Sequence, residues 1–319
     1  MKKTMWMLAL ALAAGVTVAQ AAPAEDQSGA LASDSSTNSA TFPIERLKAP
    51  TYADLYCAGF MTKDLMPNAN YVAGGLHTPT TSKFVMGDAI FLSGSGLQAG
   101  QQFSVVRELK DVNEFEMFDG QRRLIKTAGH AYAELGRIRV LDTRSRMAVA
   151  QVEYSCEPIV PGDTLTPFSE KPAVTLQQPV RLDRFMPPNG KPMGRLILAR
   201  DFDGMLGSGS KVYINLGSNQ GVKTGDYIRA VRPYTNDQKD PGDSISFAAS
   251  LAEDTQLHPA SMDPKMFTRG GNGPVIHVRD FPRRAVGELV ILSVTPTTST
   301  AMVIFSLEDV HLGDFAEVE

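Results

Sequence analysis

Gly96-Leu97-Gln98-Ala99-Gly100-Gln101-Gln102-Phe103-Ser104-Val105-Val106-Arg107 returns, respelled, as Gly221-Val222-Lys223-Thr224-Gly225-Asp226-Tyr227-Ile228-Arg229-Ala230-Val231-Arg232. Each copy reads as glycine, an apolar residue, two variable residues, glycine, and then a strand ending in Val-Arg. An apolar segment precedes each copy: Ala89-Ile90-Phe91-Leu92 in one case, Lys211-Val212-Tyr213-Ile214-Asn215-Leu216 in the other. Further on, Gly136-Arg137-Ile138-Arg139-Val140-Leu141 matches Gly287-Glu288-Leu289-Val290-Ile291-Leu292 at an offset of 151. The same offset pairs Ala150 with Ala301, Val152 with Val303, Tyr154 with Phe305, Ser155 with Ser306 and Glu157 with Glu308. It then pairs Gly162-Asp163 with Gly313-Asp314. Self-similarity at a fixed offset is the mark of a repeated structural unit.

Outward from the repeat, the apolar pattern has period two. Val212, Ile214 and Leu216 alternate with Tyr213 and Asn215, as a half-buried strand requires. Arg195–Ala199, Tyr227–Val231, Leu289–Val294, Ala301–Phe305 and Phe315–Val318 complete a set of about six strands, and the first repeat supplies a similar set. Gly-Asp at 87–88, 162–163, 225–226 and 313–314 falls where strands start or turn. There glycine takes positive φ and aspartate bonds nearby backbone. Gly96, Gly100, Gly162, Asp163, Gly221, Gly225, Asp226, Gly313 and Asp314 are therefore read as structural. Few segments have helical period. The expectation is an all-β protein of two related small β-barrel or sandwich-like modules from an internal duplication, at 52–167 and 194–319, joined by a proline-studded linker at 168–193.

The repeats differ in the middle. Arg232 to Gly287 is 26 residues longer than Arg107 to Gly136. This 233–286 insertion is rich in proline and glycine, and only Ser246–Glu253 within it reads as a short helix.

The N-terminus reads as an export signal. Lys2 and Lys3 precede the apolar run Met5–Val18, and Ala19-Gln20-Ala21 gives a small-x-small cleavage pattern. The run is too short for a membrane span, and no cysteine near the cut invites a lipid anchor. Residues 1–21 are thus expected to be cleaved and 22–51 to form a disordered leader. The formal charge of -4 becomes -6 without Lys2 and Lys3, at 29 basic against 35 acidic residues, and Trp6, the one tryptophan, leaves with the signal. Such a balance argues against nucleic acid as partner.

Both cysteines remain after the cut, in an oxidising compartment. Cys57 and Cys156 read as one disulfide; two separately buried thiols are the alternative. Cys156 aligns with Leu307, so the repeated core does not need the thiol. The bridge is expected to tie the segment around Cys57 onto the first module and to leave the second module untouched.

Catalytic patterns are scarce: there is no Gly-x-Ser-x-Gly, His-Glu-x-x-His or Walker A loop. The histidines, at 77, 130, 258, 277 and 311, include no pair at zinc-ligand spacing, and neither a metal nor a cofactor is expected. Asp201-Phe202-Asp203-Gly204 lacks the further oxygen ligands of a calcium loop and reads as a turn. Arginines cluster at Arg122-Arg123, at Arg137/Arg139/Arg144/Arg146 and at Arg279/Arg283/Arg284. Alternating arginines on strands mark a solvated face, or alternatively a surface for anions; Arg279, Arg283 and Arg284 are the candidate binding residues.

Val212-Tyr213-Ile214-Asn215-Leu216-Gly217-Ser218-Asn219-Gln220-Gly221-Val222-Lys223-Thr224-Gly225-Asp226, closed by Val310-His311-Leu312-Gly313-Asp314, resembles the C-terminal domain of the flagellar assembly protein T family. It also resembles a β-rich module that accompanies LysM domains in bacterial envelope proteins. The resemblance covers 194–319 well and 71–167 more loosely. It implies a non-enzymatic, periplasmic or secreted protein that binds an envelope protein or peptidoglycan-associated component, with peripheral membrane association as a further form of contact. Oligomeric state stays open. The alternative is a secreted hydrolase or small-ligand-binding protein whose site lies near the 233–286 insertion and gathers Asp201, Asp203, His258 and Arg279.

Overall fold

The alternation becomes strands in both halves of the chain. The computed structural model describes residues 49–77, 83–110, 116–176, 182–233 and 281–319 and the backbone of Thr41–Phe42. Its elements run β1 (Thr41–Phe42), α1 (Tyr52–Tyr56), β2 (Phe60–Thr62), β3 (Tyr71–Gly75), β4 (Ala89–Ser93), β5 (Gln102–Glu108), α2 (Gln121–Ala128), β6 (His130–Asp142), β7 (Ala148–Ser155) and β8 (Thr164–Pro167). They continue with β9 (Leu182–Asp183), β10 (Met193–Ala199), β11 (Met205–Leu206), β12 (Lys211–Ile214), β13 (Tyr227–Arg232), β14 (Arg284–Val294), β15 (Ser299–Ser306), β16 (Val310–His311) and β17 (Phe315–Val318).

In the first module the strands pair in the order β3-β4-β7-β6-β5-β8, and β8 returns to β3, with β2 added to β6. In the second the order is β10-β12-β15-β14-β13-β17, closing on β10. Both modules are six-stranded antiparallel barrels, a form that leaves no free sheet edge. The expected all-β, two-module architecture is what the chain adopts.

The two ladders share one register. Gly136 faces Ser155 as Gly287 faces Ser306; Gln102 faces Arg139 as Tyr227 faces Val290; Ala89 faces Gln151 as Lys211 faces Met302. The irregularities coincide as well. Shifts occur at Val72/Gly74 and Leu196/Leu198, at Val105/Val106 and Ala230/Val231, and at Arg137/Ile138 and Glu288/Leu289. Such bulges add the local twist and bend that a narrow barrel needs to close. Gly136 and Gly287 sit beside one of them. A Cβ there would lie 2.2 Å from the Tyr154 carbonyl oxygen and 2.8 Å from that of Phe305, so the close backbone approach admits only glycine.

Each barrel has its own apolar interior: Val72, Ile90, Leu92, Val105, Ile138 and Val152 in the first, Leu196, Val212, Ile228, Leu289, Ile291 and Val303 in the second. Two segments of the first half cross to the second barrel. The loop before α2 places Phe118, 1% exposed, in the second barrel's core cluster. Gln121 then donates from Nε2 to the Ile197 carbonyl at 2.9 Å.

The stretch from Thr51 to Thr62 is the other crossing segment. Leu55 and Ala58 cover the outer face of β13–β15 at Tyr227, Val290, Leu292, Met302 and Ile304, joined there by Val174 of the linker. Thr298 Oγ1 donates to the Met61 carbonyl at 2.8 Å and Thr300 Oγ1 to the Gly59 carbonyl at 3.0 Å. On its other side β2 pairs with β6 of the first barrel. The segment is a wedge gripped by both modules.

Several expectations change here. The linker at 168–193 is partly docked, through Val174 and Asn189, and Thr41–Phe42, inside the expected leader, pairs with β9. Two helices break the all-strand reading. α1 is held by a reciprocal cap: the Thr51 hydroxyl accepts from the Asp54 amide at 3.3 Å, and the Asp54 carboxylate accepts from the Thr51 amide at 3.0 Å. α2 runs between Gly120 and Gly129 and turns Leu124 and Ile125 toward the second barrel's side. Residues 1–21, Ser246–Glu253 and nearly all of the 233–286 insertion lie outside the described residues.

Asp54 also reaches Lys211 Nζ of the second barrel at 2.8 Å. Burial works to raise its pKa, but the hydrogen bonds from Lys211 and Thr51 outweigh it, and the carboxyl sits below its ordinary value. A depressed carboxyl contributes stability that is complete above the ordinary carboxylate pKa and is lost as pH falls through the folded value. Asp54→Asn is expected to cost about 1 kcal/mol at neutral pH through the lost cap and ion pair. It should also flatten the acid limb of the stability curve, as read by thermal melts across pH. An acid limb identical to that of the parent would contradict this role.

Candidate functional site

The disulfide Cys57–Cys156 is formed, with Cα atoms 5.8 Å apart. It floors a cleft of about 320 Å³ between α1 and the two barrels, lined by Ala53, Asp54, Tyr154, Ser155, Glu157, Arg200, Asp201 and Lys211. Arg200 leaves the end of β10 and is largely buried. Its Nε donates to the Cys57 carbonyl at 2.8 Å, Nη1 to Asp201 at 2.6 Å, and Nη2 to Glu157. Burial alone would lower the Arg200 pKa, but bonding to Glu157 and Asp201 raises it, so the guanidinium stays charged. Tyr213 lies beneath, fully buried, with its hydroxyl 3.4 Å from the Ala58 carbonyl; burial pushes its phenol well above the ordinary value. Each cation of the cleft is held by a carboxylate of the same cleft. The arrangement ties the wedge to both barrels.

Buried charge is used in the same way elsewhere. Arg107 grips Asp163 with Nε and Nη2, both at 2.8 Å, and Nη2 also reaches the Pro158 carbonyl at 3.1 Å. In the second barrel Arg232 grips Asp314 at 2.7 and 2.8 Å and reaches the Asp309 carbonyl at 2.7 Å. Each aspartate takes one more bond from the turn before it, from the Val160 and His311 amides. The clamp joins the Val-Arg end of β5 or β13 to the turn entering β8 or β17. Bidentate pairing of this kind fixes geometry as well as charge.

The sequence-derived site residues now have places. Gly96, Gly100, Gly162, Gly221, Gly225 and Gly313 all have φ between +74° and +98°, as turn positions. The Asp226 carboxylate accepts from the Lys223 amide at 2.8 Å across its turn. Asp201 and Asp203 are exposed in the turn after β10, where Phe202 takes φ +61°. His258 and Arg279, and with them the expected gathering of these four groups, lie outside the described residues. Arg283 and Arg284 are not an open anion-binding surface: Arg283 Nη2 pairs with Glu317 at 2.7 Å and Arg284 Nε with Glu308 at 3.1 Å. Around them Arg229 bonds Glu319 at 2.8 Å, and the Asn189 amide donates to Glu317 at 3.1 Å, which fastens the linker to the barrel. Burial raises the Glu319 pKa, the pull of Arg229 opposes this, and the neighbouring Glu288 adds to it.

The group Arg137, Arg139, Arg144 and Arg146 behaves differently. Arg137 lies 4.9 Å from the Phe168 ring centroid and pairs with Glu153 at 3.0 Å. Arg139, Arg144 and Arg146 stand exposed on or beyond β6. Arg122 and Arg123 are exposed on α2, not on a strand. Among the described residues no group of three His, Cys, Asp or Glu side chains could hold a metal ion, and no helix is long and apolar enough to cross a membrane. Sequence reasoning missed the Arg–Asp clamp and the cleft. Both clamp residues recur at matching places in the two repeats, and that recurrence was the available signal.

No protein-family model matches the chain, and no curated protein matches it.

Proposed function

We propose that the chain is a non-enzymatic, exported structural or adaptor protein of the bacterial cell envelope, which binds envelope components through its two β modules. The observation that supports it best is the use of charged side chains as internal clamps. Asp163, Asp314, Arg107, Arg232, Arg200 and Glu157 are all engaged in bonds that lock the barrels and wedge. Such a body presents rigid outer faces. The disulfide fits an oxidising compartment, periplasmic or extracellular, in keeping with the export signal read at 1–21. The resemblance of 194–319 to the C-terminal domain of the flagellar assembly protein T family and to the module beside LysM domains points to the same environment. Purified protein without residues 1–21 is expected to co-sediment with envelope fractions and to crosslink to a defined envelope component. Recovery as a free monomer with no crosslinked partner would overturn the reading.

A further inference from the structure

The two barrels treat one equivalent face in opposite ways. On the second barrel, the outer face of β13–β15 carries Tyr227, Val290, Met302 and Ile304, and the chain's own wedge and linker cover it. By shared register the same positions on the first barrel are Gln102, Arg139, Gln151 and Glu153. Leu292, buried under the wedge, corresponds to Leu141, which is 50% exposed. Thr298 and Thr300, whose hydroxyls hold the wedge backbone, correspond to Met147 and Val149; Met147 is 41% exposed. At the β6–β7 hairpin, therefore, an apolar edge of Leu141 and Met147 meets a polar strip of Gln102, Arg139 and Gln151.

The strip is positively charged in a chain whose formal charge is -4. Arg139 shares Glu153 with Arg137, and Arg144 pairs with Asp142 while its side chain stays 90% exposed. Arg146 has no carboxylate partner among the described residues. Four arginines thus stand against two carboxylates.

The geometry points to this face, the outer side of β5–β6–β7 with its hairpin tip, as the docking surface for an acidic, apolar-anchored polypeptide segment of a partner protein. The second barrel shows the mode: a short segment lies across the face, inserts apolar side chains and is held by polar groups on the strands. On the first barrel the anchor sits beside Leu141 and Met147, and carboxylates lie along Arg139, Arg144 and Arg146. Charge complementarity of this kind sets partner choice and speeds encounter. The proposal rests on the adaptor reading and names the surface and partner chemistry it would use.

The test is a titration of the ¹⁵N-labelled full chain with an octapeptide of alternating glutamate and leucine. Amide shifts are expected to concentrate at residues 137–153 and around Gln102. Arg139→Glu/Arg146→Glu and, separately, Leu141→Ser/Met147→Ser should each weaken binding by about tenfold or more. Arg122→Glu/Arg123→Glu, on exposed α2 positions, should not, and unchanged melting of all three confirms folding. The proposal falls if shifts are absent at millimolar peptide, appear elsewhere, or arise equally with a lysine–leucine octapeptide. It falls too if phosphatidylglycerol vesicles perturb the face and the acidic peptide does not. Envelope co-sedimentation that survives Arg139→Glu/Arg146→Glu overturns this surface alone, whereas its absence in the parent protein overturns the adaptor reading.

Discussion

Asp314→Ala is expected to destabilise the protein by about 3–5 kcal/mol, the range for removing one partner of a buried ion pair. Asp314 is fully buried, and the Arg232 side chain it grips is 7% exposed. Without the carboxylate, the guanidinium keeps only the Asp309 carbonyl among the described residues, in a largely buried site. The His311 amide loses its acceptor in the same step. The equivalent change in the first barrel, Asp163→Ala, should cost clearly less, about 1–3 kcal/mol. Arg107 is 37% exposed and can turn its freed donors to water. Urea unfolding of both variants at neutral pH measures the contrast. Equal losses would mean that the clamps do not differ in burial as described, and a loss under about 1 kcal/mol at Asp314 would remove the clamp from the account of the fold.

The second large effect comes from Cys57→Ser/Cys156→Ser. The bridge closes 99 positions of chain, and loop-closure entropy allows up to about 4.7 kcal/mol for such a loop. The repeat alignment confines the damage to the first module, because Leu307 stands in place of Cys156 in the second. The wedge gives another outcome. Cys57 directly follows α1, whose Leu55 covers the second barrel, and the Cys57 carbonyl is held by Arg200 of that barrel. Loosening the segment therefore uncovers Val290, Leu292, Met302 and Ile304. Hydrogen exchange is expected to show lost protection in β14 and β15 as well as at 52–62. Full protection of β14 and β15 in the variant would restore the narrower, one-module role.

The fold was legible wherever the information is local or repeated. Period-two alternation placed the strands, and the offset of 151 placed their equivalents, down to the Gly136 and Gly287 positions that the backbone crowds. Turn chemistry gave the Gly-Asp pairs a structural reading. It did not reveal that Asp163 and Asp314 receive the arginines ending β5 and β13, because that contact spans 56 residues in one barrel and 82 in the other. α2 was obscured by its length of eight residues; Gly120 and Gly129 bracket it, and Leu124, Ile125 and Ala128 form its apolar side. The Thr51–Asp54 cap was a local signal for α1 that strand-oriented reading passed over. The wedge had no local signal. Its residues look like an ordinary chain entry, and what fixes them is an apolar face on strands far downstream. The arginine clusters divided for the same reason: composition cannot tell Arg283, held by Glu317, from Arg146, which faces solvent.

The wedge also orders events in time. The carbonyls of Gly59 and Met61 accept from hydroxyls that lie 241 and 237 residues later in the chain. During synthesis from the N-terminus, the segment emerges before either barrel and finds its last partners only when β15 arrives. The first barrel, by contrast, has all its strands once β8 has emerged. Completion of the second barrel is thus the event that closes the molecule, and a segment made before either barrel serves as its final fastening.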